Sequence, residues 1–207
     1  ITFYTDHTGS LGTVHDVAIK DRTTYLGSNT GIYYFKDDEL EFFEGSQGHV
    51  WDVETIANDV LVGHNTGTFR LEGDRLQKVS NRAGGYQFVK VPERSNVFLQ
   101  GTYTGVSKYE KEASGKWDTN SILGIDFPVK QLCFEDNRTI WAAHHYKGLF
   151  RFKLNENLSA VEDKIAFGTN VLPNIYNVKL YRFKNQIVIQ SEGKWYKYDP
   201  LVGEIVL

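Results

Sequence analysis

Six histidines and a single cysteine in 207 residues are the side chains most able to hold a metal or attack a substrate. His144 and His145 are adjacent. Neighbours along an extended chain point to opposite sides, so two adjacent imidazoles do not close on one ion. No His-Glu-x-x-His string occurs. The expectation is hydrogen-bonded turn histidines, with no metal and no cofactor. Cys133 lies between Leu132 and Phe134, which reads as a small core residue rather than a nucleophile. The carboxylate pairs Asp37-Asp38 and Glu135-Asp136 fall between apolar runs, where aspartate supports a turn. Neither a Walker-type nor a Gly-x-Gly-x-x-Gly phosphate cradle is present. These residues predict a chain that is not an enzyme.

The composition narrows the partners. Lys and Arg total 23 against 26 Asp and Glu, a net charge of −3. That balance does not neutralise a phosphate backbone, so nucleic acid is not an expected partner. One cysteine excludes a disulfide framework and a thiolate zinc site. No apolar stretch reaches the roughly 18 residues of a membrane helix. Residues 1–7 carry neither an initiator Met nor a signal-peptide pattern, and Met is absent throughout. The expectation is a piece of something longer.

What must position any chemistry is a repeat. The run 25–35 (Tyr-Leu-Gly-Ser-Asn-Thr-Gly-Ile-Tyr-Tyr-Phe) recurs at 61–71 (Leu-Val-Gly-His-Asn-Thr-Gly-Thr-Phe-Arg-Leu) and at 99–109 (Leu-Gln-Gly-Thr-Tyr-Thr-Gly-Val-Ser-Lys-Tyr). A fourth copy, 141–152, has one extra turn residue, and 188–198 is a degraded fifth. Glycine closes the turn each time, at Gly31, Gly67, Gly105, Gly148 and Gly193, which suits a hairpin position with φ above zero. Upstream lies an apolar pattern: Val14/Val17/Ile19, Val50/Val53/Thr55, Tyr86/Val89/Val91, Val129/Leu132/Phe134 and Val178/Tyr181/Phe183. Its last two positions alternate as in a half-buried strand. The three-residue step before them predicts either a bulge or a strand that starts late.

Four short antiparallel strands per unit, at spacings of about 36 to 49 residues, predict an all-β fold, a β-propeller segment of about five four-stranded blades. The repeats run 13–43, 49–79, 85–119, 128–162 and 177–207 within one propeller unit, 1–207. Residues 1–5 read as the outer strand of a preceding blade. Five consecutive blades of a larger ring are favoured. The alternative is a closed five-blade ring, with the opening strand completing the last blade and an irregular tail after Tyr198. Helix signals are weak, and only 155–167, the longest connection between repeats, has room for a turn or two.

Because the chain reverses at every strand, the second-to-third-strand turns and the blade-to-blade connections emerge on one rim. His49, His64, Asn65, Arg82, Tyr103, His144, His145 and Tyr146 therefore form the predicted ligand-binding set. Aromatic rings beside imidazole, amide and guanidinium groups suit a small polar ligand or a glycan. The same residue types are also good turn formers.

The strings Val-Trp-Asp-Val at 50–53, Val-Leu-Val-Gly-His-Asn-Thr-Gly at 60–67, Thr-Ile-Trp-Ala-Ala at 139–143 and Gly-Leu-Phe-Arg-Phe at 148–152 resemble the two-component-regulator propeller repeat. In that family such repeats form the periplasmic sensor region of Bacteroidetes regulators, ahead of a triple-tyrosine domain. The resemblance covers essentially the whole chain. It departs at Tyr-Leu-Gly-Ser (25–28), Leu-Val-Gly-His (61–64) and Val-Ile-Gln-Ser (188–191), and the triple-tyrosine, membrane and output segments are absent.

The resemblance implies a non-catalytic sensor propeller in signal transduction and transcription regulation. It further implies a periplasmic or extracellular place as part of an inner-membrane protein, with no nucleic acid or membrane bound by this segment itself. Its partners would be a ligand, neighbouring domains or the remainder of a larger propeller protein, with room for a homodimer. The alternative is a propeller enzyme, a lyase or glycosidase acting on a glycan. Other propeller classes fit less well. The Trp-Asp pairs at 51–52 and 117–118 do not fall at one repeated position, and no Ser-x-Asp-x-Gly-x-x-Trp box occurs.

Overall fold

Apolar runs broken by glycine and asparagine turns fold here as strands, with no helix among the described residues. A computed structural model describes residue 6, residues 8–36 and residues 39–207. The predicted outer strand at 1–5 and the Asp37-Asp38 pair lie outside the described residues.

Five four-stranded antiparallel sheets form in chain order, each a simple meander. The first is β1 (Val14–Lys20), β2 (Thr23–Ser28), β3 (Ile32–Lys36) and β4 (Glu39–Phe42). The second is β5 (Val50–Ile56), β6 (Asp59–His64), β7 (Gly67–Glu72) and β8 (Arg75–Ser80). The third is β9 (Phe88–Lys90), β10 (Val97–Thr102), β11 (Gly105–Lys111) and β12 (Trp117–Ser121). The fourth is β13 (Gln131–Phe134), β14 (Thr139–His144), β15 (Gly148–Leu154) and β16 (Val161–Phe167). The fifth is β17 (Lys179–Phe183), β18 (Gln186–Ser191), β19 (Lys194–Asp199) and β20 (Glu204–Val206). The chain forms two compact units, Ile1–Gly85 and Tyr86–Leu207.

Four expectations need correction, the first being the burial of Val14, Val17 and Ile19: all three are exposed, and Ala18 is the residue of β1 that enters the core. The 155–167 segment holds no helix: residues 155–160 make a turn fastened by Asn155 Oδ1, which accepts the Ser159 N–H at 2.8 Å, and β16 follows. The tail after Tyr198 is not irregular, because β20 pairs with β19 and gives the last sheet its fourth strand. In the fifth repeat the inner-strand register is one residue off. Leu180 enters the core, while Tyr181 and Phe183 face solvent, since a one-residue slip moves every side chain to the other face.

The three-residue step has two structural forms. In β1 and β5 it is a bulge, with the register shifting between Val14 and Asp16 and between Val50 and Asp52. In the other three repeats the strand starts late, at Phe88, Gln131 and Lys179.

Cores form between successive sheets of one unit. In the N-terminal unit Ala18, Ile32, Val50, Val53 and Val62 pack together. In the C-terminal unit Leu99, Leu132, Ile140 and Phe152 belong to one cluster and Trp141, Leu180, Ile189 and Tyr198 to another. Strands β10 and β14, both second strands, are buried along their whole length. Burial of each large aliphatic side chain there contributes about 1.5–3 kcal/mol.

Turn glycines hold the meanders tight. Gly67 and Gly105 have φ of 148° and 141°, and a Cβ on either would run into a backbone carbonyl, that of Ser80 or of Ile125. Position and conformation both demand glycine there.

Candidate functional site

The second-to-third-strand turns are built on one chemical device. The last residue of each second strand is Ser28, His64, Thr102, His144 or Ser191. In four of them a side-chain acceptor caps the turn. Ser28 Oγ accepts the Thr30 N–H at 3.2 Å, and Thr102 Oγ1 accepts that of Thr104 at 3.3 Å. His64 Nδ1 accepts the Thr66 N–H at 3.1 Å. His144 Nδ1 accepts those of Tyr146 and Lys147 at 2.9 and 3.1 Å. With Nδ1 an acceptor, the proton of each neutral ring sits on Nε2. His64 and His144 thus do the same local work as serine and threonine in their sister turns.

Backbone hydrogen bonds tie these turns to the segments that enter the inner strands. Asn65 N–H donates to His49 O at 2.8 Å, Gly48 N–H to Thr30 O at 3.1 Å, and Asn177 N–H to His145 O at 3.3 Å. Within each unit, then, turn and connection share an edge.

In the N-terminal unit this edge carries a histidine cluster. Gly48 lies against both His64 Nε2 and Asn65 Oδ1. The His49 ring stacks on Trp51 at 3.6 Å and His15 stacks on His49 at 4.5 Å. His49 Nε2, His64 Nε2 and Asn65 Oδ1 are buried with no partner at hydrogen-bonding geometry, although the Gln47 and Ser46 carbonyls act electrostatically on His64. Burial, followed by the neighbouring His15 and His64 charges, holds the His49 pKa below its ordinary value. Burial does the same at His64. Both rings are hydrogen-bonding groups at neutral pH rather than cations. Arg82 is exposed, on the segment whose Gly84 N–H donates to His64 O at 3.1 Å. His15 and Trp51 were not among the sequence-predicted residues. Each sits at a bulge, which re-aims a side chain, and the three-residue step in the apolar pattern was its signal.

In the C-terminal unit His144, His145 and Tyr146 come together. His145 and Tyr146 meet edge to face at 4.3 Å, and Tyr176 lies 6.2 Å from Tyr146. Burial, then Lys147 and His145, lower the His144 pKa. Beside them opens a concavity of about 370 Å³, lined among others by Lys130, Lys179, His144 and His145. Tyr103 stands apart from this group with Tyr86, ring centroids 5.5 Å apart. Burial, followed by Tyr103, pushes the Tyr86 phenol up to about 12.

A wider concavity, about 540 Å³, lies at the other end of the strands in the N-terminal unit, lined by Arg22, Tyr25, Tyr34, Lys36 and Asp74 among others. None of its residues was predicted, because most come from the ends of β2 and β3 and from first-to-second and third-to-fourth-strand turns, away from the rim.

The groups considered for catalysis have other roles. Burial pushes the Cys133 thiol up to about 11, in a core cluster with Trp141. Glu135 receives Arg151 through two bonds of 2.7 Å and the Trp141 indole N–H at 2.8 Å. Asp136 accepts the N–H groups of Arg138 and Thr139 and the Thr139 hydroxyl. Among the described residues no group of three or more His, Cys, Asp or Glu side chains is arranged to hold a metal. No helix among them is long and apolar enough to cross a membrane.

No family model matches the chain, and no curated relative matches it. Solved structures do. The chain is similar to the extracellular domain assigned to the hybrid two-component system BT3049 of B. thetaiotaomicron, with TM-score 0.70, 13% identity and 93% of this chain covered. It is similar also to that assigned to the one-component system BT4673 of the same organism, with TM-score 0.66, 16% identity and 88% covered. A third likeness is to the WD40 β-propeller domain of Doa1, with TM-score 0.62, 16% identity and 95% covered, over 68% of that chain. The matched region spans 29% and 27% of the two Bacteroides chains. At these identities the likeness establishes the fold, and it joins the sheet order and the glycine turns in one conclusion: this chain is built of β-propeller blades.

Proposed function

We propose that the chain is a non-catalytic sensing segment of a transmembrane signalling or transcription regulator, placed outside the cytoplasm, which takes a small polar ligand or glycan at its turn-bearing edges. The observation that carries this reading is the make-up of those edges. Neutral imidazoles, amides and aromatic rings gather there, with buried polar atoms at His49 and Asn65 that lack partners. Such groups orient a ligand by hydrogen bonds and stacking. They are poorly suited to the paired acid and base that a glycan-cleaving enzyme needs. The likeness to extracellular regulator domains supports the same reading, and membrane anchorage and periplasmic residence belong to the proposal.

The test is a thermal-shift screen of the 207-residue chain against polar metabolites and oligosaccharides, followed by calorimetric titration of any ligand found. A ligand at about 100 times its Kd should stabilise the chain by about 2.7 kcal/mol. Tyr103→Ala or His145→Ala should weaken binding about ten- to 150-fold, equivalent to 1–3 kcal/mol. Arg22→Ala, in the opposite-end concavity, should leave it unchanged. Binding lost in Arg22→Ala and intact in both edge variants would overturn the assignment, as would glycan turnover abolished by one edge substitution.

A further inference from the structure

The 370 Å³ concavity of the C-terminal unit has a one-sided chemistry. Its ionisable lining residues are Lys130, Lys179, His144 and His145, and no carboxylate is among them. Lys130 and Lys179 each follow the buried valine, Val129 or Val178, that leads into an inner strand. The repeat therefore delivers one ammonium from each of two successive sheets to the same opening. The uncharged groups add donors. His144 Nδ1 is occupied by two backbone N–H groups, which leaves the ring proton on Nε2. Gln131 spends its Oε1 on the Leu180 N–H at 3.0 Å, so its amide NH2 is the end that remains to be used. Asn177 contributes a further amide. Glu192, in the turn between β18 and β19, does not line the concavity and accepts Asn174 Nδ2 at 2.9 Å.

Two exposed lysines on the lining of one concavity raise its positive potential, and an anion bound there lowers it. The volume is in the range of small-ligand sites. We propose that this concavity binds the anionic group of a small ligand, a carboxylate, sulfate or phosphate, with Lys130 and Lys179 as the paired cations. The inference rests on the reading of these edges as ligand-binding, and it specifies the chemical class for this one.

Imidazole resonances of the ¹⁵N-labelled chain test it directly. Sodium sulfate, sodium phosphate and sodium acetate are titrated separately against sodium chloride, at a constant ionic strength of about 0.15 M. His144 and His145 signals should shift saturably, with Kd of order millimolar for the free ions, while His15, in the other unit, stays put. Tighter binding of the tetrahedral dianions than of acetate would assign a sulfate or phosphate group, and the reverse order a carboxylate. Lys130→Gln with Lys179→Gln should weaken binding about tenfold or more, and the exposed Lys90→Gln should not.

Shifts that grow linearly to about 50 mM, or that persist unchanged in the double lysine variant, would overturn the proposal. If the screen finds a neutral saccharide that depends on Tyr103 or His145 while all three anions fail, the anion site falls and the sensor reading stands. If the anions bind through the lysines while the screened ligands prove to occupy the opposite end, the anion site stands and the sensor reading falls.

Discussion

The imidazole of His49 lies on the indole of Trp51, ring centroids 3.6 Å apart and planes 25° from parallel. The pair stands at the entry to β5, beside the bulge that shifts the register between Val50 and Asp52 and re-aims the Trp51 side chain. The stack is part of what desolvates His49, and desolvation is the largest cause of its lowered pKa. Trp51→Ala should let the His49 pKa rise toward the ordinary imidazole value, read from its ring resonances in a pH titration. It should also cost about 0.5–1.5 kcal/mol beyond lost area. An unmoved His49 titration would show that the indole does not shield it.

His49, His64 and His144 all have folded-state pKa values below the ordinary 6.5. The unfolded chain then binds more protons than the folded one between the folded and unfolded values. Their contribution to stability is whole above about 6.5 and is lost as pH falls below it toward the folded values. Urea midpoints at about pH 7.5 and 5.5 should show the loss. Because Ser28 caps the equivalent turn, His64→Ser should keep the cap and shrink the pH dependence without abolishing it.

Two glycines separate conformational strain from collision. Gly115 has φ of 85° and open space where a Cβ would stand, whereas Gly105 combines φ of 141° with the Ile125 carbonyl in the way. Gly115→Ala should cost about 1 kcal/mol. Gly105→Ala should cost about 3 kcal/mol or more, since its turn must also move. Equal losses in chemical denaturation would contradict this.

Glu135 holds Arg151 and Trp141 together, and Arg151 also lies over the Tyr198 ring at 5.3 Å. Carboxylate and guanidinium side chains are each about one-fifth exposed. Glu135→Gln removes the charge that compensates Arg151 and should destabilise by about 1.5–3 kcal/mol in denaturant unfolding. Glu44, exposed in a turn, gives the comparison: its glutamine variant should stay within about 0.5 kcal/mol.

Much of the blade was legible because its strongest constraint is a backbone one: a turn with φ above zero selects glycine wherever it recurs, and Gly31 to Gly193 mark it. Side-chain registers were legible only where the inner strand keeps its three-residue step, as from Val129 to Leu132. From Val178 the next core residue is Leu180, one position early, and nothing in an isolated apolar run distinguishes Leu180 from Tyr181 as the inward residue. Strand β16 lay within the one stretch that could hold a turn or two of helix, because only Phe167 of its seven residues is buried, so no alternation shows. At the site, the capping roles of His64 and His144 were visible in their alignment with Ser28 and Thr102, whereas the three-residue step at His15 and Trp51 left a bulge and a late strand start equally open, and the re-aimed rings follow only from the bulge. The lysine pair was missed because Lys130 immediately precedes an inner strand and Lys179 begins one, outside the turns from which site residues were drawn.

Each sheet takes all four of its strands from one contiguous stretch and borrows none from elsewhere in the described chain. The consequence is kinetic. Every ladder joins strands that follow one another, so hydrogen bonding requires no long loop to close before a sheet is complete, and hairpins of this kind form on the microsecond scale, about 1–10 μs each. Docking between neighbouring sheets rests on side chains such as Val53, Leu132 and Ile189, with a few backbone bonds between connections, such as Leu123 N–H to Ser159 O. A whole repeat can then be duplicated or deleted at its connections without stranding a half-paired strand, which makes the repeat the natural module of exchange in this chain.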